Sequence, residues 1–191
     1  MKKEEVKNII NGQLNQEKIH LEDMPEIDLY MDQVIQLFES KLASNKRNEE
    51  DKVLTKTMIN NYAKAKLLMT IKNKKYSKEH LILMSLIYEF KGALSIGDIK
   101  LLLDEIVKGY ENDKECNLRE LYSDYLANSI EDNREIENYL NKKLEKIADD
   151  SKGESFEEKF MLISTMINMS NTYRKIGEKL IDKYFGEGDK K

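Results

Sequence analysis

The chain has 191 residues, 36% of them charged and 40% apolar, with one proline, no tryptophan and a formal net charge of −4. That length suits one large domain or two small ones with shared packing, and the wealth of Leu, Ile, Met, Glu and Lys favours an all-α architecture. A lone cysteine, Cys116, excludes an internal disulfide, no signal-type apolar run follows Met1, and the longest nearly apolar stretch, Leu81 to Tyr88, is too short to span a bilayer, so a cytoplasmic protein with no membrane segment is expected.

Residues 1–23 form an N-terminal extension in which charges alternate with isolated aliphatics (Val6, Ile9, Ile10, Leu14, Ile19), a pattern open to either a weak amphipathic helix or a loosely ordered segment. After Pro25, the apolar series Ile27, Met31, Val34, Phe38, Leu42 falls on one helical stripe and predicts a helix. The polar run SNKRNEED within Ala43 to Lys52 reads as a solvated loop or long turn. Thr55 then offers an N-cap hydroxyl to a short helix that buries Met58, Ile59, Tyr62 and Ala63, with Leu67 a further candidate. Residues 69–76, MTIKNKKY, suit a short hairpin or extended ribbon with Asn73-Lys74 at its tip. Ser77 restarts a helix through Leu81, Met84, Ile87 and Tyr88, expected to end near Gly92, a residue able to take the left-handed C-terminal conformation. Ser95 and Asp98 have the spacing of a capping box, and the helix they open, through Ile99, Leu102, Leu103 and Ile106, is expected to stop at Gly109.

A polar break at Glu111 to Glu115 precedes a purely helical half, residues 115–185, with a tail at 186–191. Asn117 and Glu120 cap a helix carrying Leu118, Leu121, Tyr122, Tyr125 and Leu126, interrupted at Asp132-Asn133 and followed by the stripe Ile136, Tyr139, Leu140, Leu144, Ile147. Ser155 with Glu158 opens a last helix of about thirty residues, roughly 45 Å long. Its residues Leu162, Met166, Met169, Tyr173, Ile176 and Leu180 form a heptad seam, which predicts a homodimer. A second stripe, Phe156, Phe160, Ile163 and Ile167, is expected to be covered by the rest of the C-terminal half.

Charge is distributed unevenly along this acidic chain. From Lys52 to Lys78 there are eight lysines and no Asp or Glu, and the span from Lys41 to His80 carries +7, leaving −11 for the remainder. Lysines gathered this way suit a polyanion, because they displace the counterions condensed on phosphates. A lysine-rich solvated surface is the plainer alternative.

The run Thr55-Lys56-Thr57-Met58-Ile59-Asn60-Asn61-Tyr62-Ala63-Lys64-Ala65-Lys66-Leu67-Leu68, followed by Lys74-Lys75-Tyr76-Ser77 and by Ser95-Ile96-Gly97-Asp98-Ile99, resembles the MerR class of winged helix-turn-helix regulators. Within it, the chain is most similar to an uncharacterised MerR-like family of Gram-positive bacteria that shares the Asp28 to Gln33 stretch and the run from Thr55 to Tyr62. The likeness covers Pro25 to Leu103 and departs from the class at Asn60-Asn61-Tyr62, where Arg-Tyr-Tyr is usual, at Lys66, where glycine is usual, and in the long turn from Ala43 to Leu54. It implies a DNA-binding domain at 24–108 and a dimerisation or effector region at 115–185. Double-stranded DNA is the expected partner, with an unidentified small-molecule or protein effector. Thr55, Lys56, Thr57 and Lys64 would meet phosphates or base edges, Asn60 and Asn61 would read adenines, and Lys72, Asn73, Lys74, Lys75 and Tyr76 would form a wing. Tyr62 reads better as packing, and Tyr76 fits either role.

No HExxH, paired CxxC, P-loop or GxSxG motif is present, so no enzyme activity and no cofactor are expected. His20 and His80 lack ligand spacing, His80 reading as a surface or capping residue; Glu49-Glu50-Asp51 reads as a solvated run rather than a metal site, and Cys116 as a small packed residue or bystander. The alternative function is a helical protein interaction module whose lysines serve solubility.

Overall fold

A computed structural model describes residues 2–112, 117–147 and 155–186; Cys116, most of the expected break before Asn117 and the tail beyond Gly186 lie outside the described residues. The described chain consists of α1 (Lys3–Leu14), β1 (Leu29–Tyr30), α2 (Met31–Leu42), α3 (Lys56–Lys64), β2 (Lys75–Tyr76), α4 (Lys78–Phe90), α5 (Ile96–Glu111), α6 (Leu118–Ile147) and α7 (Phe156–Tyr184), with short 3-10 turns at Leu21–Asp23 and Ala43–Asn45. It divides into two compact units, one of Met1–Gln16 with Tyr125–Ile176, the other of Glu17–Asp124 with the segment from Gly177 onward. The architecture is mostly helical with a small antiparallel sheet. No helix among the described residues is long and apolar enough to cross a membrane.

The second unit is built around α4. Every residue from His80 to Ile87 is buried, so this helix is enclosed on all sides, as its unbroken apolar run requires. Ser85, a polar residue inside that run, donates its hydroxyl to the Leu81 carbonyl at 3.0 Å. The other buried faces of this unit belong to α2 (Val34, Phe38, Leu42), α3 (Ile59, Tyr62) and α5 (Ile99, Leu103, Val107), with α2 against α3 and α4 against β2. Ser95 and Asp98 do form the expected capping box, with Asp98 N–H to Ser95 Oγ at 3.1 Å and Ser95 N–H to Asp98 Oδ2 at 3.2 Å.

Several expectations need correction. Ile27 is 72% exposed and precedes the helix, because Leu29 and Tyr30 are taken up as β1 before α2 begins at Met31. Residues 69–76 do not form a hairpin of their own: only Lys75–Tyr76 is strand, and it pairs antiparallel with β1, Leu29 opposite Tyr76 and Tyr30 opposite Lys75. The helix α4 does end near Gly92, but without using a left-handed glycine: the chain leaves it through a turn in which the Ala93 and Leu94 amides both donate to the Phe90 carbonyl. Gly109 does not stop α5, which runs to Glu111 with Gly109 buried inside it and Asn112 Nδ2 donating to the Lys108 carbonyl at 2.8 Å. Glycine lowers helix stability but breaks a helix only when something else claims the next turn.

The long turn after α2 is held at both ends. Asn45 exchanges two hydrogen bonds with the Glu17 backbone, at 2.7 and 3.1 Å, Lys46 pairs with Glu39, and Lys91 donates to the Val53 carbonyl at 3.3 Å while lying over the Tyr88 ring. Burial holds the Lys91 ammonium below its ordinary pKa. The linker before α2 is fixed by α6: Tyr122, 2% exposed, donates its hydroxyl to the Ile19 carbonyl at 2.6 Å, and burial pushes its pKa up to about 12. Nearby, Glu26 takes Lys78 at 2.6 Å and Arg119 at 3.1 Å, and Arg119 also grips Glu79 at 2.7 Å.

In the first unit α1 is ordered, which settles the open reading of the extension. Its Val6 packs with Met166 on the buried pair Leu144 and Leu162, and Lys3 meets Glu145 at 3.1 Å. The interruption expected at Asp132-Asn133 is absent, and α6 is continuous. Neither residue is a strong helix breaker, and the Asn133 amide is engaged elsewhere, donating at 2.6 Å to the Leu14 carbonyl that α1 leaves unpaired at its end. Ser155 caps α7 as expected, through Glu158 N–H to Ser155 Oγ at 3.4 Å. Replacing Tyr122 by phenylalanine should lower unfolding stability by about 1–2 kcal/mol, since it leaves the buried Ile19 carbonyl without a donor. Urea denaturation of both proteins measures this, and equal midpoints would show the bond to be dispensable.

Candidate nucleic-acid interface

The short helix α3 has two unlike faces. Ile59 and Tyr62 are buried, whereas Lys56, Thr57, Asn60, Asn61 and Lys64 are all exposed and, at a spacing of one and four residues, share the outer side. Thr55 caps the helix by accepting the Met58 amide at 3.1 Å, so its hydroxyl already has a structural task. Lys56 is paired with Asp32 at 2.8 Å, but both side chains are mostly exposed, and pairs of this kind are weak enough to yield to a competing anion.

The C-terminal end of α3 is a Schellman turn. Leu67 N–H reaches the Tyr62 carbonyl and Lys66 N–H the Ala63 carbonyl, both at 3.0 Å, with Lys66 at φ +59°. The tight turn that glycine makes in the resembled class is therefore present here with lysine. A second reversal follows at Lys72 to Lys75, closed by Lys75 N–H to Lys72 O at 3.0 Å, with Asn73 and Lys74 at φ +54° and +59°. Two central residues with positive φ define a type I′ turn, so the polar tip foreseen at Asn73-Lys74 exists although the flanking hairpin does not.

The lysines of the acid-free stretch fall into distinct groups. Lys56 and Lys78 are paired with carboxylates, and Lys75, half-buried, lies over the Tyr30 ring at 5.3 Å. Lys64, Lys66, Lys72 and Lys74 are exposed and make no ion pair among the described residues. Asn73 is exposed beside them. Tyr76, by contrast, is 3% exposed and packs edge-on to His80, so it supports the turn from inside and offers no ring to a ligand. Sequence reasoning passed over Lys66 as a site residue; the signal was its place directly after the helix, where the chain must turn left-handed.

Of the two readings of His80, the capping one holds and the surface one does not. The residue is 6% exposed, accepts the Ser77 amide on Nδ1 at 3.1 Å and meets the Met69 carbonyl through Nε2 at 3.3 Å, a geometry that fits the neutral ring protonated on Nε2. Burial lowers its pKa below the ordinary 6.5, against the smaller upward pull of the Met69 carbonyl and of Glu79 and Asp28. It thereby ties the start of α4 to the segment leading into the lysine turn. Among the described residues no three His, Cys, Asp or Glu side chains gather in a way that could hold a metal ion.

The α7 seam is divided. Leu162 is buried and the half-buried Met166 packs beside it within one chain, whereas Tyr173, Ile176 and Leu180 are 69%, 52% and 48% exposed and Met169 is half-buried. The second stripe is the open one: Phe156, Phe160, Ile163 and Ile167 are all more than half exposed, with Phe156 stacked on Phe160. The rest of the C-terminal half does not cover them, because α1 and α6 pack on the Leu162 side.

The unit that carries these features is a mostly helical domain with a small antiparallel sheet and a basic outer helix face. Residues 19–125, more than half of the chain, match the model of a family described as a domain of unknown function, DUF1836, and the protein belongs to that family. The matched segment starts at Ile19, the residue held by Tyr122, and so coincides closely with the second compact unit. No curated protein and no solved structure matches the chain.

The lowered pKa of His80 has a defined sign. The unfolded chain takes up a proton near the ordinary value and the folded chain only below it, so the contribution is full above pH 6.5 and is lost as pH falls from there toward the folded value. Replacing His80 by glutamine keeps an acceptor for the cap but removes the titration. Urea midpoints should then vary less between about pH 7 and pH 5.5 than in the wild type; an equal decline in both proteins would assign the acid sensitivity to other groups.

Proposed function

We propose that this protein is a sequence-specific double-stranded-DNA-binding transcription regulator of the MerR-like winged helix-turn-helix class, acting in the cytoplasm as a homodimer. The observation that carries the reading is the outer face of α3. There Thr57, Asn60, Asn61 and Lys64 stand exposed together in an acid-free stretch with eight lysines, on a chain that is acidic as a whole. Asparagine can pair with adenine through two hydrogen bonds in the major groove, and the surrounding ammonium groups supply affinity that does not depend on sequence. Lys72 and Lys74 on the type I′ turn would grip the flanking backbone. Lys75 would do so only after leaving the Tyr30 ring.

Selection of genomic fragments by the purified protein, followed by mobility-shift titration at several salt concentrations, tests the reading: binding that weakens steeply with salt supports it. Asn60→Ala or Asn61→Ala should then lose on the order of 1–3 kcal/mol on the selected site and little on random duplex. Equal losses on both would reduce these residues to positioning the helix.

A second reading is a helical protein interaction module, favoured by the exposed apolar stripe Phe156, Phe160, Ile163 and Ile167. Apolar side chains gathered on one helix face commonly meet another protein. Absence of duplex binding at low salt would favour that module over the regulator. For the homodimer, Met169→Asp with Ile176→Asp should yield monomers that bind DNA weakly, because charge would be buried at the contact. Sedimentation equilibrium reads the outcome, and a wild-type chain monomeric at tens of micromolar would overturn the dimer.

A further inference from the structure

Among the described residues, three other than glycine adopt a left-handed backbone: Lys66 at φ +59°, Asn73 at φ +54° and Lys74 at φ +59°. Asn73 is ordinary, because its short polar side chain tolerates that region. The two lysines are not, since a left-handed backbone pushes Cβ toward the following carbonyl oxygen. Both places call for glycine. Lys66 sits where a Schellman turn most often has it, and Lys74 occupies the second central position of a type I′ turn, where Asn-Gly is the favoured pair. Gly92 and Gly97, meanwhile, lie outside the left-handed region, so the chain has glycine where no such freedom is used and lysine where it is.

Neither lysine side chain contributes to the fold in return. Both are exposed, and neither makes an ion pair or a side-chain hydrogen bond among the described residues, in contrast to Lys56 and Lys78 of the same stretch. Strain that brings no local contact points to a task outside the fold. We infer that Lys66 and Lys74 are kept for their charge: their ammonium groups contact phosphates of the duplex, one just past the C-terminal end of α3 and one at the tip of the following turn. The inference rests on the DNA-binding reading and adds Lys66 to that surface. Contacts of this kind position the protein on DNA and carry no sequence information, so they are separable from the asparagines of α3.

The test compares the full-length wild type with Lys66→Gly/Lys74→Gly, which removes charge and strain together, and with Lys66→Arg/Lys74→Arg, which keeps both. Thermal denaturation and salt titration on a random-sequence duplex are the two readouts. The glycine variant should melt a few degrees higher and bind more weakly, with a salt slope smaller by about 1.8, the value for two lost phosphate contacts. The arginine variant should match the wild type in both. A glycine variant that melts higher but binds with an unchanged slope overturns the inference while leaving DNA binding intact. One that melts lower overturns the strain argument. A wild type that binds no duplex at all removes the DNA-binding reading and this inference with it.

Discussion

A helix buried on every side imposes its requirements on everything around it, and α4 is such a helix. The enclosure of His80 to Ile87 leaves no tolerance for an unpaired polar atom. Ser85 meets that demand by bonding within the helix, and His80 meets it by capping the helix start through Ser77 and reaching the Met69 carbonyl. The histidine is thereby a structural link: it holds the segment after α3 against the core, so the outer face of α3 and the lysine turn are referred to one rigid element.

The ion pairs of the second unit sort its charges by task. Glu26, Glu79, Lys78 and Arg119 join the linker before β1 to the starts of α4 and α6. The hydrogen bond from Lys78 and the charge of Arg119 hold the Glu26 carboxyl below its ordinary pKa; the Glu79 carboxyl, which burial alone would raise, is held low by Arg119. These carboxylates join elements, whereas Lys64, Lys66, Lys72 and Lys74 make no ion pair among the described residues; Glu111 reaches the same stretch by accepting the Thr70 hydroxyl at 2.9 Å. An acidic protein presents a basic face in this way without any excess of basic residues.

In α7 the two apolar stripes compete for a single neighbouring surface. Leu162 and Met166 obtain it, packing with Leu144 and Val6, and this leaves Phe156, Phe160, Ile163 and Ile167 uncovered within one chain. An amphipathic helix with two apolar stripes buries only as many as its neighbours can reach. Here α1, a weakly patterned segment, supplies part of that cover and is ordered by it.

Periodicity and cap chemistry in the sequence determined the helical class, the inner faces of α2, α3 and α5, the Thr55, Ser95 and Ser155 caps, and the uneven placement of charge. These are properties of neighbouring residues, and the chain carries them wherever it packs. Tertiary structure decided what depends on distant partners. β2 pairs with Leu29–Tyr30 rather than with its own preceding residues, Asn133 serves the end of α1 instead of breaking α6, and His80 is core rather than surface. It also decided which residues of α7 are buried, because local pattern ranks the options a segment has, and only the neighbours brought by folding select among them.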